Sequence, residues 1–190
     1  DNIITSDDDT FAVISRRLFQ EDGPLAPVKG IDLVNWRSNT LSKRSKNLTT
    51  LSALYTIAET ILKDQNFSSK TLPDSSTLEA AYQTIVDFWT TTLASVQAYQ
   101  QYLNLTHNNK PVSTLREENL LLKPVTQMAL AHVVLMAQRK EISWASIVDK
   151  LNYIDWSFNN DLWFNILVIG SADKKMITGK ESIRSAGMVI

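Results

Sequence analysis

Residues 114–140 read TLREENLLLKPVTQMALAHVVLMAQRK, and the fold turns on how this stretch is read. Leucine, valine, alanine and methionine fill most positions from Leu120 to Ala137, without the strict alternation of a half-buried strand. A helix that is apolar nearly all round belongs either at the centre of a core or in an interface. Pro124 has no N–H to donate, so it sits in the first turn of this helix, or kinks it if the helix begins at Thr114.

The neighbouring segments repeat the helical pattern. Leu78, Ala81, Tyr82, Ile85, Phe88, Trp89, Leu93, Val96, Tyr99 and Leu103 recur every three or four residues, which predicts a second long helix from Asp74 to about Thr106, capped by Asp74 or Ser75. Leu48, Leu51, Leu54, Tyr55, Ala58, Ile61 and Leu62 share one face of a helix expected to start near Asn47. Phe11, Ile14 and Leu18 mark an amino-terminal helix with Asp7, Asp8 and Asp9 in its first turn and Arg16 and Arg17 further on, a polarity that suits the helix dipole. Gly23-Pro24 stops it. Three aspartates in a row point in different directions on a helix, so dipole compensation is a better account of them than a metal. APVKGIDLVNW (26–36) holds a short strand, and SWASIVDKLNYI (143–154) a short helix capped by Ser143. DLWFNILVIG (161–170) fits strand or helix, and residues 172–190 read as a strand and turn entering a last helix. The expected architecture is one mainly α domain over residues 1–190, with two long helices and a few short strands near 28–34 and 164–178.

The 190 residues suffice for one good-sized core. A formal net charge of -1 gives no whole-chain argument for nucleic acid or membrane, so such an argument must be local. The absence of cysteine excludes disulfides, thiolate catalysis and Cys-ligated zinc or iron–sulfur centres, and fits a reducing compartment such as the cytoplasm. With only His107 and His132, a His-rich metal site is not expected; His132 reads as a core or boundary residue and His107 as a loop residue. Apolar runs fall short of a membrane span, and DNIITSDDDT lacks the basic and apolar regions of a signal peptide. No P-loop, GxGxxG, GxSxG, HExxH or zinc-finger spacing occurs, so no catalytic residue, metal or cofactor is assigned.

The local charge is at LSKRSKNLTT (41–50). Lys29, Arg37, Lys43, Arg44 and Lys46 fall within residues 29–46 against Asp32 alone, whereas residues 1–22 are strongly acidic. A basic loop entering a helix combines side-chain cations with backbone N–H groups, a pattern that favours phosphate. Arg37, Ser42, Lys43, Arg44, Ser45 and Lys46 are the candidate phosphate contacts, with Thr49 and Thr50 as further neutral donors. The alternative is a solvated face whose charges pair with the acidic first segment. Trp36 adjoins the loop and is placed either to stack on a base or an arginine or to pack.

The order of segments carries a resemblance. Residues 11–62, with LSKRSKNLTTLSAL (41–54) opening a helix, then LLLKPVTQMALAHVV (120–134), SWASIVDKLNYIDWSFNNDLWFNILV (143–168) and KKMITGKESIRSAGMVI (174–190), resemble the DGQHR-domain family and its DndB branch of DNA sulfur modification proteins. The family's Asp-Gly-Gln-His-Arg motif does not occur here. The resemblance implies the helical carboxy-terminal portion of a longer bacterial chain, with the motif and a ParB/sulfiredoxin-like part upstream. It further implies a DNA-binding transcriptional regulator associated with phosphorothioate modification, with double-stranded DNA as partner and Lys43, Arg44 and Lys46 on the family's basic segment. Two other readings stand beside it. One is an interaction or homo-oligomerisation module built on the apolar helices. The other is the helical part of a ParB-like nucleotide-hydrolysing enzyme whose site lies outside this chain.

Overall fold

The structure, a computed structural model, describes residues 6–20, 22–170 and 173–190. The first five residues of the acidic amino-terminal segment, Glu21, Ser171 and Ala172 lie outside the described residues. The helix on which the fold turns is central. It runs Pro124–Gln138, numbered α6 in the order α1 (Thr10–Arg17), β1 (Val34–Asn35), β2 (Thr49–Thr50), α2 (Leu51–Ile61), α3 (Ser75–Ser95), α4 (Gln97–His107), α5 (Ser113–Glu118), α6, β3 (Val168–Ile169), β4 (Lys175–Met176) and α7 (Lys180–Val189). Pro124 occupies the first helical position, where its missing N–H costs nothing. Residues 113–122, which the alternative reading joined to α6, form instead the short α5 and a 3₁₀ turn at Leu120–Leu122.

α6 lies between α2 and α7 and buries Val125, Ala129, Leu130, Ala131, Val134 and Leu135. α2 and α7 thus cover much of its apolar surface, which places α6 in the core. Each fully buried aliphatic side chain such as Leu130 contributes about 1.5–3 kcal/mol relative to exposure. α1 packs on the far side of α2, and α3 reaches both α1 and α4. One apolar core links residues from every helix from α1 to α4 and then from α6 and α7. α7 approaches α6 at Gly187, where a Cβ would sit 2.7 Å from the Cβ of His132 and 2.9 Å from the carbonyl oxygen of Ala129.

Two boundaries differ from the sequence reading. The aspartates precede α1 instead of forming its first turn: the Asp9 carboxylate caps the helix by accepting from the N–H groups of Phe11 and Ala12, and it also accepts from the Tyr55 hydroxyl. Asp7 pairs with Arg16 at 2.9 Å. The helix expected over 74–106 is two helices, because Val96 is extended (φ −96°, ψ 117°). Apolar periodicity passes through the break, since Val96 is itself buried. The groups freed there meet Asn152, whose carboxamide oxygen accepts from Gln97 N–H (2.8 Å) and whose NH₂ donates to Ser95 C=O (2.9 Å).

The strands are short, as expected for so helical a chain. β3 and β4 pair antiparallel within the predicted 164–178 region. β1 pairs parallel with β2, Val34 opposite Thr49 and Asn35 opposite Thr50. β1 overlaps the predicted 28–34 at Val34 and extends one residue past it, whereas β2 falls where the sequence reading placed the start of a helix. Upstream, Lys29 (φ 49°) and Gly30 (φ 75°) make a tight turn closed by reciprocal Val28–Ile31 hydrogen bonds. The segment 143–154 is 3₁₀ rather than α, and Ser143 precedes it without a side-chain capping bond.

The close approach at Gly187 and the cap at Asp74 are both open to measurement. Gly187→Leu should destabilise the protein by about 1–3 kcal/mol through overpacking, despite leucine's better helix propensity, as measured by urea denaturation. Asp74, the N-cap of α3, accepts from the Ser76 hydroxyl, the Thr77 hydroxyl and the Thr77 N–H, and these bonds hold its carboxyl well below the usual carboxylate range. A depressed folded pKa stabilises above the unfolded value and is lost as pH falls through the folded one. Asp74→Ala should therefore lower the denaturation midpoint at neutral pH, and its difference from wild type should shrink on strong acidification.

Candidate nucleic-acid interface

The parallel register of β1 and β2 closes residues 36–48 into a loop whose two ends meet side by side. Every candidate phosphate contact, Arg37, Ser42, Lys43, Arg44, Ser45 and Lys46, lies on this loop. Ser45 N–H donates to Ser42 C=O at 3.1 Å, so Lys43 and Arg44 occupy the two central positions of a tight turn.

The loop's carbonyls point inward and are met there. Arg116 of α5 is only 2% exposed. Its Nη1 donates to the carbonyls of Ser45 and Asn47, each at 2.8 Å, and its Nη2 to those of Lys43 (3.2 Å) and Ser42. The hydroxyl of Tyr102 on α4 donates to the carbonyl of Lys46. The side-chain amide of Gln127 on α6 donates to that of Leu48 at 3.2 Å. Three helices thus hold six carbonyls between Ser42 and Leu48. Burial lowers the Arg116 pKa, with nearby Tyr102 and Glu117 opposing, and burial pushes the Tyr102 phenol upward, so Tyr102 stays a neutral donor.

With its carbonyls turned in, the loop turns its cations out. Lys43, Arg44 and Lys46 are exposed, as is the Ser42 side chain. The ion pairs Arg16–Asp7, Arg17–Glu79 and Arg139–Asp64 lie elsewhere, and among the described residues none engages Lys43, Arg44 or Lys46. The described part of the acidic first segment is accordingly not their partner. Arg37 lies over the Trp36 ring at 4.7 Å from its centroid, and Trp36 is 41% exposed, so this indole stacks on an arginine at the surface. Ser45 differs from the other candidates. Its hydroxyl donates to Asn47 Oδ1 (2.7 Å) and accepts from Asn47 N–H (3.1 Å), which commits it to the loop's own geometry.

The start of α2 also differs from expectation. The helix begins at Leu51, not near Asn47, and Thr50 caps it by accepting from Ala53 N–H at 3.2 Å. Thr49 and Thr50 are buried, so neither is an outward donor. Among the described residues no group of three or more His, Asp or Glu is placed to hold a metal ion. His132 is a half-buried boundary residue, its pKa lowered by burial and then by Lys63 and Arg184.

Arg116, Tyr102 and Gln127 are the site residues that sequence reasoning missed. Arg116 stands beside Glu117 and Glu118, a charged run whose composition suits a solvated helix surface. Its one signal was position, four residues after Val112 and four before Leu120, both buried.

The family described as DndB, DNA-sulfur modification-associated, matches residues 5–188, and the chain belongs to this family. No curated protein and no solved structure matches the chain. No described helix is long and apolar enough to cross a membrane.

Arg116→Leu strands several buried carbonyls at once and should cost at least about 2 kcal/mol. Hydrogen exchange should report early loss of amide protection at residues 45–50. Arg116→Lys, a compact ammonium in place of a five-donor fork, should fall between the leucine variant and the wild type.

Proposed function

We propose that this chain is a DNA-binding regulator in DNA sulfur modification, and that the outer face of the 36–48 loop grips the phosphate backbone of double-stranded DNA. The observation that carries this reading is the division of the loop into two sides. Six carbonyls are held inward by Arg116, Tyr102 and Gln127, and Lys43, Arg44 and Lys46 are left outward without acidic partners among the described residues. Family membership adds the association with DNA sulfur modification. In this reading Arg37 and Ser42 reach further phosphates, and Ser45 shapes the turn. Phosphate contacts of this kind set register and orientation on the duplex, and sequence is read by other groups. The regulator acts on DNA in the cytoplasm, and transcription is the process it controls.

Salt dependence tests the clamp. Labelled duplex DNA titrated at several salt concentrations should bind with a linear fall of log K against log salt. Lys43→Gln/Arg44→Gln/Lys46→Gln should flatten the slope by about 0.9 for each phosphate that the variant no longer neutralises. Equal slopes for the two proteins, or no binding by the wild type at low salt, would remove the loop from any DNA interface.

A further inference from the structure

Between the loop, α2 and the α5–α6 junction lies a cavity of about 560 Å³. Its walls come from five parts of the chain: Asn39–Lys43 of the loop, the first turns of α2, the α5–α6 junction, Phe158 of the 156–158 segment, and the β3–β4 hairpin. The backbone explains how these parts converge. Leu120 N–H donates to Trp156 C=O (2.8 Å) and Phe158 N–H to Glu118 C=O (3.1 Å), which lays the 156–158 segment along the α5–α6 junction. The Trp156 and Trp163 rings stack beneath that segment, 4.7 Å apart. The β3–β4 pairing then brings Lys174 and Met176 to the rim.

The lining divides by chemistry. Lys43, Arg116, Lys123 and Lys174 supply positive charge, and Glu117 is the carboxylate among the lining residues. Arg116 brings a buried charge whose hydrogen bonds go to neutral carbonyls, so those bonds leave the charge uncancelled. Lys123 is half-buried, and among the described residues no ion pair engages it. Its ammonium lies 5.9 Å from the centre of the Phe158 ring. Burial lowers the Lys123 pKa, Arg116 lowers it further, Glu117 partly offsets this, and Lys43 adds to the lowering. These cations repel one another around one cavity. Lys174 donates to a neutral oxygen, Asn159 Oδ1 at 3.1 Å. The α6 helix opens here without a side-chain cap, and Ser42, Ser52 and Thr178 add hydroxyls. Val125, Met128, Phe158 and Met176 form an apolar stretch of the wall, and Asn39, Thr40, Thr50 and Thr56 are further polar lining.

Like charges gathered in a partly desolvated cavity are stabilised by an anion, and an apolar, aromatic wall beside them fits a flat body attached to it. We infer that this cavity is a nucleotide site, with the phosphate held among Lys43, Lys123 and Lys174 and the base against Phe158 and Met128. The same chemistry is offered by a free mononucleotide and by an unstacked nucleotide of a DNA strand. The site does not rest on the outer-face clamp, with which it shares only Ser42 and Lys43.

Calorimetric titration of the whole chain tests it with four probes: adenosine 5′-monophosphate, adenosine, inorganic phosphate and a short single-stranded oligonucleotide. The monophosphate should bind more tightly than either of its parts. Lys123→Gln should weaken it at least tenfold and Lys123→Arg should retain most of it. Phe158→Leu should weaken the monophosphate and leave inorganic phosphate unchanged, a split that general destabilisation would not produce. Arg44→Gln/Lys46→Gln should leave nucleotide binding intact while altering duplex affinity, so failure of the clamp and failure of this site are separable. Lys123-dependent binding of the oligonucleotide alone would assign the site to a nucleotide within a strand. Absence of binding by both nucleotide probes at millimolar concentration, or binding indifferent to Lys123 and Phe158, would overturn the inference.

Discussion

The buried guanidinium of Arg116 is the constraint around which the half of the molecule carrying the basic loop is arranged. Taking an arginine out of water is costly unless its donors are met, and a carboxylate is the usual partner. Here backbone carbonyls of one loop take that place, across about seventy residues of sequence. Charge-assisted hydrogen bonds to carbonyls are stronger than neutral ones, so the loop is held by its backbone while Lys43, Arg44 and Lys46 stay exposed. A carboxylate partner would have cancelled the charge. Carbonyls satisfy the donors and leave the surroundings positive, next to a loop that is itself basic.

The same bonds position the rest. Fixing residues 42–48 fixes where the chain enters β2, and β2 leads directly into α2 with Thr50 as its cap. α2 in turn packs along α6, the helix on which the core is built. Gln127 ties the two levels together, since it belongs to the buried face of α6 and donates to Leu48 of the loop. The loop is therefore continuous with the core through hydrogen bonds as well as through chain connectivity. That distinguishes it from an ordinary surface connection, whose backbone is satisfied by water.

What was legible in the sequence was whatever repeats. The apolar periods of α2, α3 and α6, the first-position role of Pro124, and the strand and turn before α7 were all readable, because burial on one face of a regular element leaves a regular trace. The break at Val96 was not. A buried valine continues the period, and the groups freed by the break are met by Asn152, a residue more than fifty positions away. β2 escaped for a related reason, as two threonines carry no alternation. The site divides in the same way. A cluster of lysine and arginine is visible as composition, but the inward turn of its carbonyls is a tertiary fact. Arg116 was hidden by its charge, which reads as surface wherever the partner is backbone and not an acid. The cavity beside the loop was invisible because its walls come from five separate parts of the chain.

Lys43 belongs to both surfaces of the loop, at the centre of the exposed turn and on the wall of the cavity. One ammonium cannot serve a duplex phosphate and a cavity phosphate at once. An occupant that draws Lys43 inward takes one cation from the outer face and adds negative charge behind it, and both effects disfavour a polyanion outside. Binding free energies are reciprocal, so duplex DNA would weaken the cavity ligand by the same factor. The size of the coupling is bounded by one phosphate contact plus the electrostatics of the added charge. If both proposed sites are filled by separate ligands, the shared Lys43 sets the sign: each ligand would oppose the other. The rigid backbone held by Arg116 limits how this opposition is expressed. With its carbonyls bound from below, the turn does not need to open for Lys43 to change sides, and rotation of its four-carbon stem is the motion that remains.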